Sequence, residues 1–202
     1  VAVAVAQGWE VGVTTVAAGN LVVNGSILSL PTVQTGGTLS GSGQTPATTI
    51  NAGGTHSPGN PIAVQTVAGN YVENGTLTIQ IATPTGTVAG TDYDQVKITS
   101  SGSVTLGATA ALNVIYTGAP GTFAAPAGTI YKIIDNDGSV PGDTVGTFTG
   151  LAEGASLTID GRPYVIQYHA GDGNDVVLVA QSTTPTTIYI NDQFTGTGIV
   201  DG

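Results

Sequence analysis

The chain has 202 residues, with thirteen acids against three bases (Lys97, Lys132, Arg162), 31 Gly, and neither Cys nor Met, for a net charge of −10. So few bases exclude a phosphate-gripping surface, and with it nucleic acid or an anionic membrane face as partner. No run reaches the roughly 18 apolar residues of a membrane-spanning helix, but at 40% hydrophobic the chain can still build a core.

Val1 to Ala6 alternates Val and Ala without a charge, the pattern of a strand with nothing to block pairing with another chain. Ala4-Val5-Ala6 within it also has the small-x-small form of a signal-peptidase site. Up to Val72 the only charged residue is Glu10. Gly19-Asn20-Leu21-Val22-Val23-Asn24-Gly25-Ser26-Ile27 is matched by Gly69-Asn70-Tyr71-Val72-Glu73-Asn74-Gly75-Thr76-Leu77. Each copy reads as strand, Asn-Gly turn, strand. Asn-Gly is expected to supply two positive-φ positions of a tight turn, and the two turns are expected to be equivalent corners. Gly36-Gly37-Thr38 and Gly53-Gly54-Thr55 are weaker echoes between them. Repeats of this kind point to coils of a β-solenoid, each burying its apolar side on the next. A β-sandwich built of hairpins is the alternative. His56 is assigned to a Gly-Pro turn, and Tyr71, Tyr93 and Tyr116 to the core or a seam.

From Tyr93 the strands lengthen. Val96 and Ile98, Val104 and Leu106, and Leu112 and Val114 alternate with polar or small residues, as half-buried strands do. Ile130 to Ile134, Leu157 to Ile159, Tyr164 to Tyr168 and Val176 to Val179 follow, separated by Gly-rich turns. His169 is expected to face solvent. Ser182 to Thr187, with Pro185, reads as a linker, and Ile188-Tyr189-Ile190 opens a further strand. The expected organisation is solenoid coils over 1–90, a β-rich closing part over 91–181, and linker plus new strand over 182–202.

Four motifs occur in order: His56-Ser57-Pro58-Gly59-Asn60, Thr91-Asp92-Tyr93-Asp94-Gln95-Val96, Ile134-Asp135-Asn136-Asp137-Gly138 and Gly171-Asp172-Gly173-Asn174-Asp175-Val176-Val177-Leu178. This series resembles the autotransporter-associated β-strand repeat region, with its closing segment, of very large bacterial surface and secreted proteins. The resemblance covers about Gly36 to Ala180. It implies an all-β fold, a right-handed parallel β-helix ending in a capping β-domain. His56 stands where family members more often carry Leu, and no autotransporter barrel is present in this sequence.

Two Gly-rich turns hold the candidate metal ligands. Asp172, Asn174 and Asp175 nearly match a calcium-binding nonapeptide, which works in tandem copies, and this chain has one. Asp135 and Asp137 resemble the front of a calcium loop, but Thr144 stands where its closing carboxylate belongs. A turn that bonds its own backbone is the competing reading of both. Polysaccharide cleavage needs two carboxyls roughly 5 to 9 Å apart, and the first part of the chain holds one acid before Glu73. No Ser lies in a nucleophile elbow. The expectation is therefore a non-enzymatic, extracellular structural module that self-associates end to end through terminal strands (Val1, Val3, Val5, Ile188, Ile190) or joins other surface proteins. Calcium is its only candidate cofactor. A carbohydrate-binding or adhesin module, with polysaccharide as partner, is the alternative.

Overall fold

A computed structural model of the chain describes residues 12–59, 61–137 and 144–183. Val1, Val3, Val5, Ile188 and Ile190 lie outside these residues, and with them the expected terminal strands. The described residues form no helix. Their strands divide between two sheets, neither closed on itself.

Successive strands alternate between the sheets. β1 (Val13–Val16) belongs to the first and β2 (Gly19–Val22) to the second. The alternation continues through β3 (Leu30–Val33), β4 (Gly37–Gly41), β5 (Gln44–Ile50), β6 (Thr55–Pro58), β7 (Val64–Glu73), β8 (Thr76–Ile81) and β9 (Gln95–Thr99). Every pairing among them is parallel, β1-β3-β5-β7-β9 in one sheet and β2-β4-β6-β8 in the other. Parallel neighbours cannot be joined by a two-residue hairpin. Here the strand of the other sheet serves as the crossover. The hairpin pairs that a β-sandwich would need are absent from this part of the described chain.

The in-phase register stacks like on like. Val16, Val33, Ile50, Glu73 and Leu106 form one column across the first sheet, the last member coming from β10 (Val104–Leu106). Leu21, Leu39, His56, Leu77 and Leu112 form a column across the second, ending in β11 (Ala111–Tyr116). Leu39, Ile50 and Leu77 are fully buried, and removing one such side chain from water is worth about 2 kcal/mol. His56 therefore sits in β6 between two leucines, not in a Gly-Pro turn as its neighbours Pro58 and Gly59 suggested.

The Asn-Gly pairs also differ from expectation. Neither Asn24-Gly25 nor Asn74-Gly75 has positive φ. Asn24-Gly25 leaves β2 in the second sheet, and the next residue, Ser26, bridges Gln44 of the first. Asn74-Gly75 runs the other way, from β7 to β8. They are opposite corners. A corner between two extended strands bends the chain without reversing it, so it has no need of a hairpin's left-handed residues. The true partners of Asn74 are Gln34 and Asn51: the N–H groups of Gln34, Asn51 and Asn74 donate in turn to the carbonyls of Val16, Val33 and Ile50. Asn51 Nδ2 also donates to Gln34 Oε1 at 3.1 Å.

The expected boundary near residue 90 falls between β8 and β9, and the first sheet continues across it. β12 (Ile130–Asn136) pairs parallel with β9 on one side. Beyond a two-residue strand β13 (Thr144–Val145) beside β10, the pairing changes hand. β14 (Ser156–Ile159), β15 (Arg162–Ala170) and β16 (Asp175–Ala180) form an antiparallel meander whose last strand pairs with β12. Aromatic side chains fill the junction: Tyr131 packs within 5.1 Å of Tyr93 and 6.0 Å of Tyr164, ring centre to ring centre.

Candidate functional site

The expected calcium ligands lie where the meander meets the parallel sheet, and lysines lie among them. Asp135 on β12 is the cross-strand partner of Lys97 on β9, and a directly opposed pair of unlike charges is favourable. Lys97 Nζ reaches Asp135 Oδ2 at 2.7 Å and Asp137 Oδ2 at 2.5 Å, while Lys132 Nζ reaches Asp135 Oδ1 and Asp175 Oδ2, each at 2.7 Å. Burial pushes the Asp135 carboxyl up, but the two ammonium groups outweigh it and hold the carboxyl below the usual range. Asp175 also accepts the Asn136 N–H at 2.9 Å. Asp172 is exposed on the β15–β16 turn, whose Gly171 and Gly173 have positive φ. Asn174 is buried with neither side-chain polar atom hydrogen-bonded. Three of the five expected ligands thus already meet cations, and they fit a metal ion poorly. Among the described residues no group of three His, Cys, Asp or Glu side chains is arranged to hold one.

A second polar cluster, not foreseen from the sequence, joins β6 of the second sheet to β7 of the first. His56, Gln65, Tyr71 and Glu73 are all fully buried. Gln65 Nε2 donates to the Ser40 carbonyl at 3.1 Å, and Gln65 Oε1 lies 2.7 Å from His56 Nε2. His56 Nδ1 lies 2.8 Å from the Tyr71 hydroxyl, which lies 2.5 Å from Glu73 Oε2. The Gly75 N–H closes the chain on Glu73 Oε1 at 2.7 Å. Burial pulls His56 down to about 4, with the Gln65 contact opposing. It pushes Glu73 up to about 7 against the Tyr71 and Gly75 bonds, and drives Tyr71 well above its usual range, helped by Glu73. These are residue types of general acid–base chemistry, but none of them touches solvent.

Other acids hold backbone. Fully buried Asp94 accepts the Ala63 N–H at 2.9 Å and the Gln80 N–H at 2.8 Å, tying the two sheets together. Asp160 accepts the N–H groups of Gly121 and Phe123. Tyr71 and Tyr93 are core residues as expected, Tyr116 is partly buried, and His169 is exposed.

A signal for the buried cluster was present. Gly37-Thr38-Leu39, Gly54-Thr55-His56 and Gly75-Thr76-Leu77 align, and that phase puts His56 in a leucine position. Glu73 is two residues from Tyr71 on one strand, hence on the same face. No family model and no curated protein matches this chain.

Proposed function

We propose that this chain is an extracellular structural module of a bacterial surface or matrix protein. In this reading the alternating parallel strands are the coils of a right-handed parallel β-helix, as in the autotransporter-associated repeat regions that the motifs resemble. The antiparallel meander is its cap, and the module extends or stiffens a larger assembly by joining other copies end to end.

The observation that carries the reading is the in-phase stacking of like residues across both sheets, which makes each coil the cover of the one before it. The placement of reactive groups agrees with it. His56, Tyr71 and Glu73 are sealed in the core, and in the second cluster Lys97 and Lys132 are engaged by Asp135, Asp137 and Asp175, so neither cluster presents an unengaged acid–base pair to a substrate. For the carbohydrate-binding alternative a stacking platform would be needed, yet among the described residues every aromatic side chain of Tyr, Trp or Phe except partly buried Tyr116 is buried. Negative-stain imaging with sedimentation velocity on the native chain tests the proposal. Fibres or ordered end-to-end contacts are expected. A chain that stays monomeric at high concentration and is retained by a polysaccharide matrix would overturn it in favour of the binding module.

A further inference from the structure

Donor and acceptor bookkeeping in the buried chain leads to a conclusion about its protons. The Ser40 carbonyl can only accept, so Gln65 presents Nε2 to it and Oε1 to His56. Facing that acceptor, His56 Nε2 carries a hydrogen. The neutral imidazole then has a bare Nδ1, which looks at the Tyr71 hydroxyl. On its other side the same hydroxyl meets Glu73 Oε2. A tyrosine hydroxyl has one hydrogen to give. If Glu73 were a carboxylate, one hydrogen would serve two acceptors, and a buried lone pair would be left facing another, at a cost like that of an unsatisfied buried group.

One added proton repairs the chain. Placed on Glu73 Oε2, it is donated to Tyr71, whose own hydrogen goes to His56 Nδ1; His56 Nε2–H then donates to Gln65 and Gln65 to Ser40. Placed on Nδ1, it makes an imidazolium and a carboxylate instead. The surroundings favour the first arrangement, because it contains no charge. Glu73 stands between Ile50 and Leu106 and His56 between Leu39 and Leu77. The strands packed on the cluster, β3, β4, β5, β8 and β10, carry no ionisable side chain. On β9 the one charge is Lys97, turned to Asp135 and Asp137.

We propose that the chain from Ser40 to Gly75 is a proton-loaded lock: it is complete only while Glu73 holds a proton, and raising the pH past neutrality releases that proton and weakens the coil it fastens. The upward displacement of Glu73 to about 7 and the downward displacement of His56 to about 4 agree. The sign follows from linkage. Between 4.5 and about 7 the folded chain keeps a proton on Glu73 that the unfolded chain has released, so this group's contribution falls as pH rises through that window and is gone above it. His56 acts oppositely: between 6.5 and about 4 the unfolded chain takes up a proton that the folded chain refuses, so its contribution falls as pH drops.

The chain has three glutamates, Glu10, Glu73 and Glu153, so carboxyl-carbon NMR of protein labelled in glutamate can follow Glu73 directly, with Glu73→Gln assigning its signal. The expected result is a signal that titrates near pH 7 in the native protein. His56→Leu restores the leucine column and frees the tyrosine hydrogen for Glu73, so the titration should move to lower pH. In thermal unfolding, the ratio of wild-type to Glu73→Gln unfolding constants should rise on the order of a hundredfold from pH 4.5 to 8. If no glutamate signal titrates above pH 6, or the nitrogen shifts of His56, told apart from exposed His169 by their loss in His56→Leu, report an imidazolium at pH 6, the proposal is overturned. An unchanged Glu73 titration in His56→Leu overturns it as well. The NMR arms need only the wild-type fold and remain decisive if Glu73→Gln does not fold.

Discussion

Replacing Gly75 by Ala should be far more damaging than replacing Gly25, although both follow an Asn in matching sequence. A Cβ on Gly75 would collide with the Gly54 carbonyl oxygen and lie 2.8 Å from that of Asn51, against ordinary contacts of about 3.5 Å. Both obstacles are backbone of the stacked β5–β6 corner, so no side-chain rotation relieves them; the stacked strands would have to part. Overpacking of this kind costs about 1–3 kcal/mol. Parting also strains the Thr76 N–H bond to Gly54, 3.0 Å, and the Gly75 N–H bond to Glu73, each worth about 1 kcal/mol. With each of these bonds weakened by about half, the sum is roughly 2–4 kcal/mol. A Cβ on Gly25 meets nothing within 4 Å, and an exposed site of that kind stays within about 0.5 kcal/mol. The unfolded-chain benefit of Gly→Ala is common to both. With a urea dependence of about 2 kcal/mol per molar, the Gly75→Ala midpoint should fall by about 1–2 M and the Gly25→Ala midpoint by less than about 0.3 M. Equal shifts at the two sites would refute the stacked-corner geometry.

Asp94→Ala leaves the Ala63 and Gln80 N–H groups without their acceptor and should cost about 3 kcal/mol in urea unfolding; a loss below about 0.5 kcal/mol contradicts the tie between sheets. Lys132→Met should cost about 2 kcal/mol, more than Lys97→Met at about 1 kcal/mol. Asp175, 3% exposed, loses its ammonium partner in the first variant, whereas Asp135 keeps Lys132 in the second. Equal losses would remove the distinction. Excess chelator should leave the melting temperature unchanged, since Lys97 and Lys132 already occupy the faces of Asp135, Asp137 and Asp175 that a metal would need; a fall of several degrees would instead reveal a metal bound only by the folded chain.

The strands were largely legible because their period is local. Val96 and Ile98, Val104 and Leu106, Leu112 and Val114, and Tyr164 to Tyr168 each alternate within a few residues, and each lies in a strand. What failed was phase. The longest sequence match, Gly19–Ile27 with Gly69–Leu77, joins opposite corners, because a strand followed by Asn-Gly recurs on both sheets. The shorter Gly-Thr-x echo carries the true stacking, since close backbone approach at Gly37, Gly54 and Gly75 constrains the corner more than Asn does. The buried cluster escaped because each member looks polar alone; His56, Gln65 and Glu73 become tolerable in a core only as partners. The lysine–aspartate cluster was half legible. Asp135 and Asp137 are neighbours in sequence and Asp175 sits in a second acidic turn, while Lys97 reaches Asp135 only through the β9–β12 pairing.

The central claim, that each coil covers the one before it in parallel register, is tested most directly by interstrand NOEs in a uniformly labelled sample. Backbone contacts should link Asn20 to Thr38, Thr38 to Thr55 and Thr55 to Thr76 in succession, with the parallel pattern throughout. Antiparallel contacts across Asn24-Gly25, such as Val22 with Ile27, in place of the Asn20–Thr38 link, would contradict the coil stack and return the chain to a sandwich of hairpins.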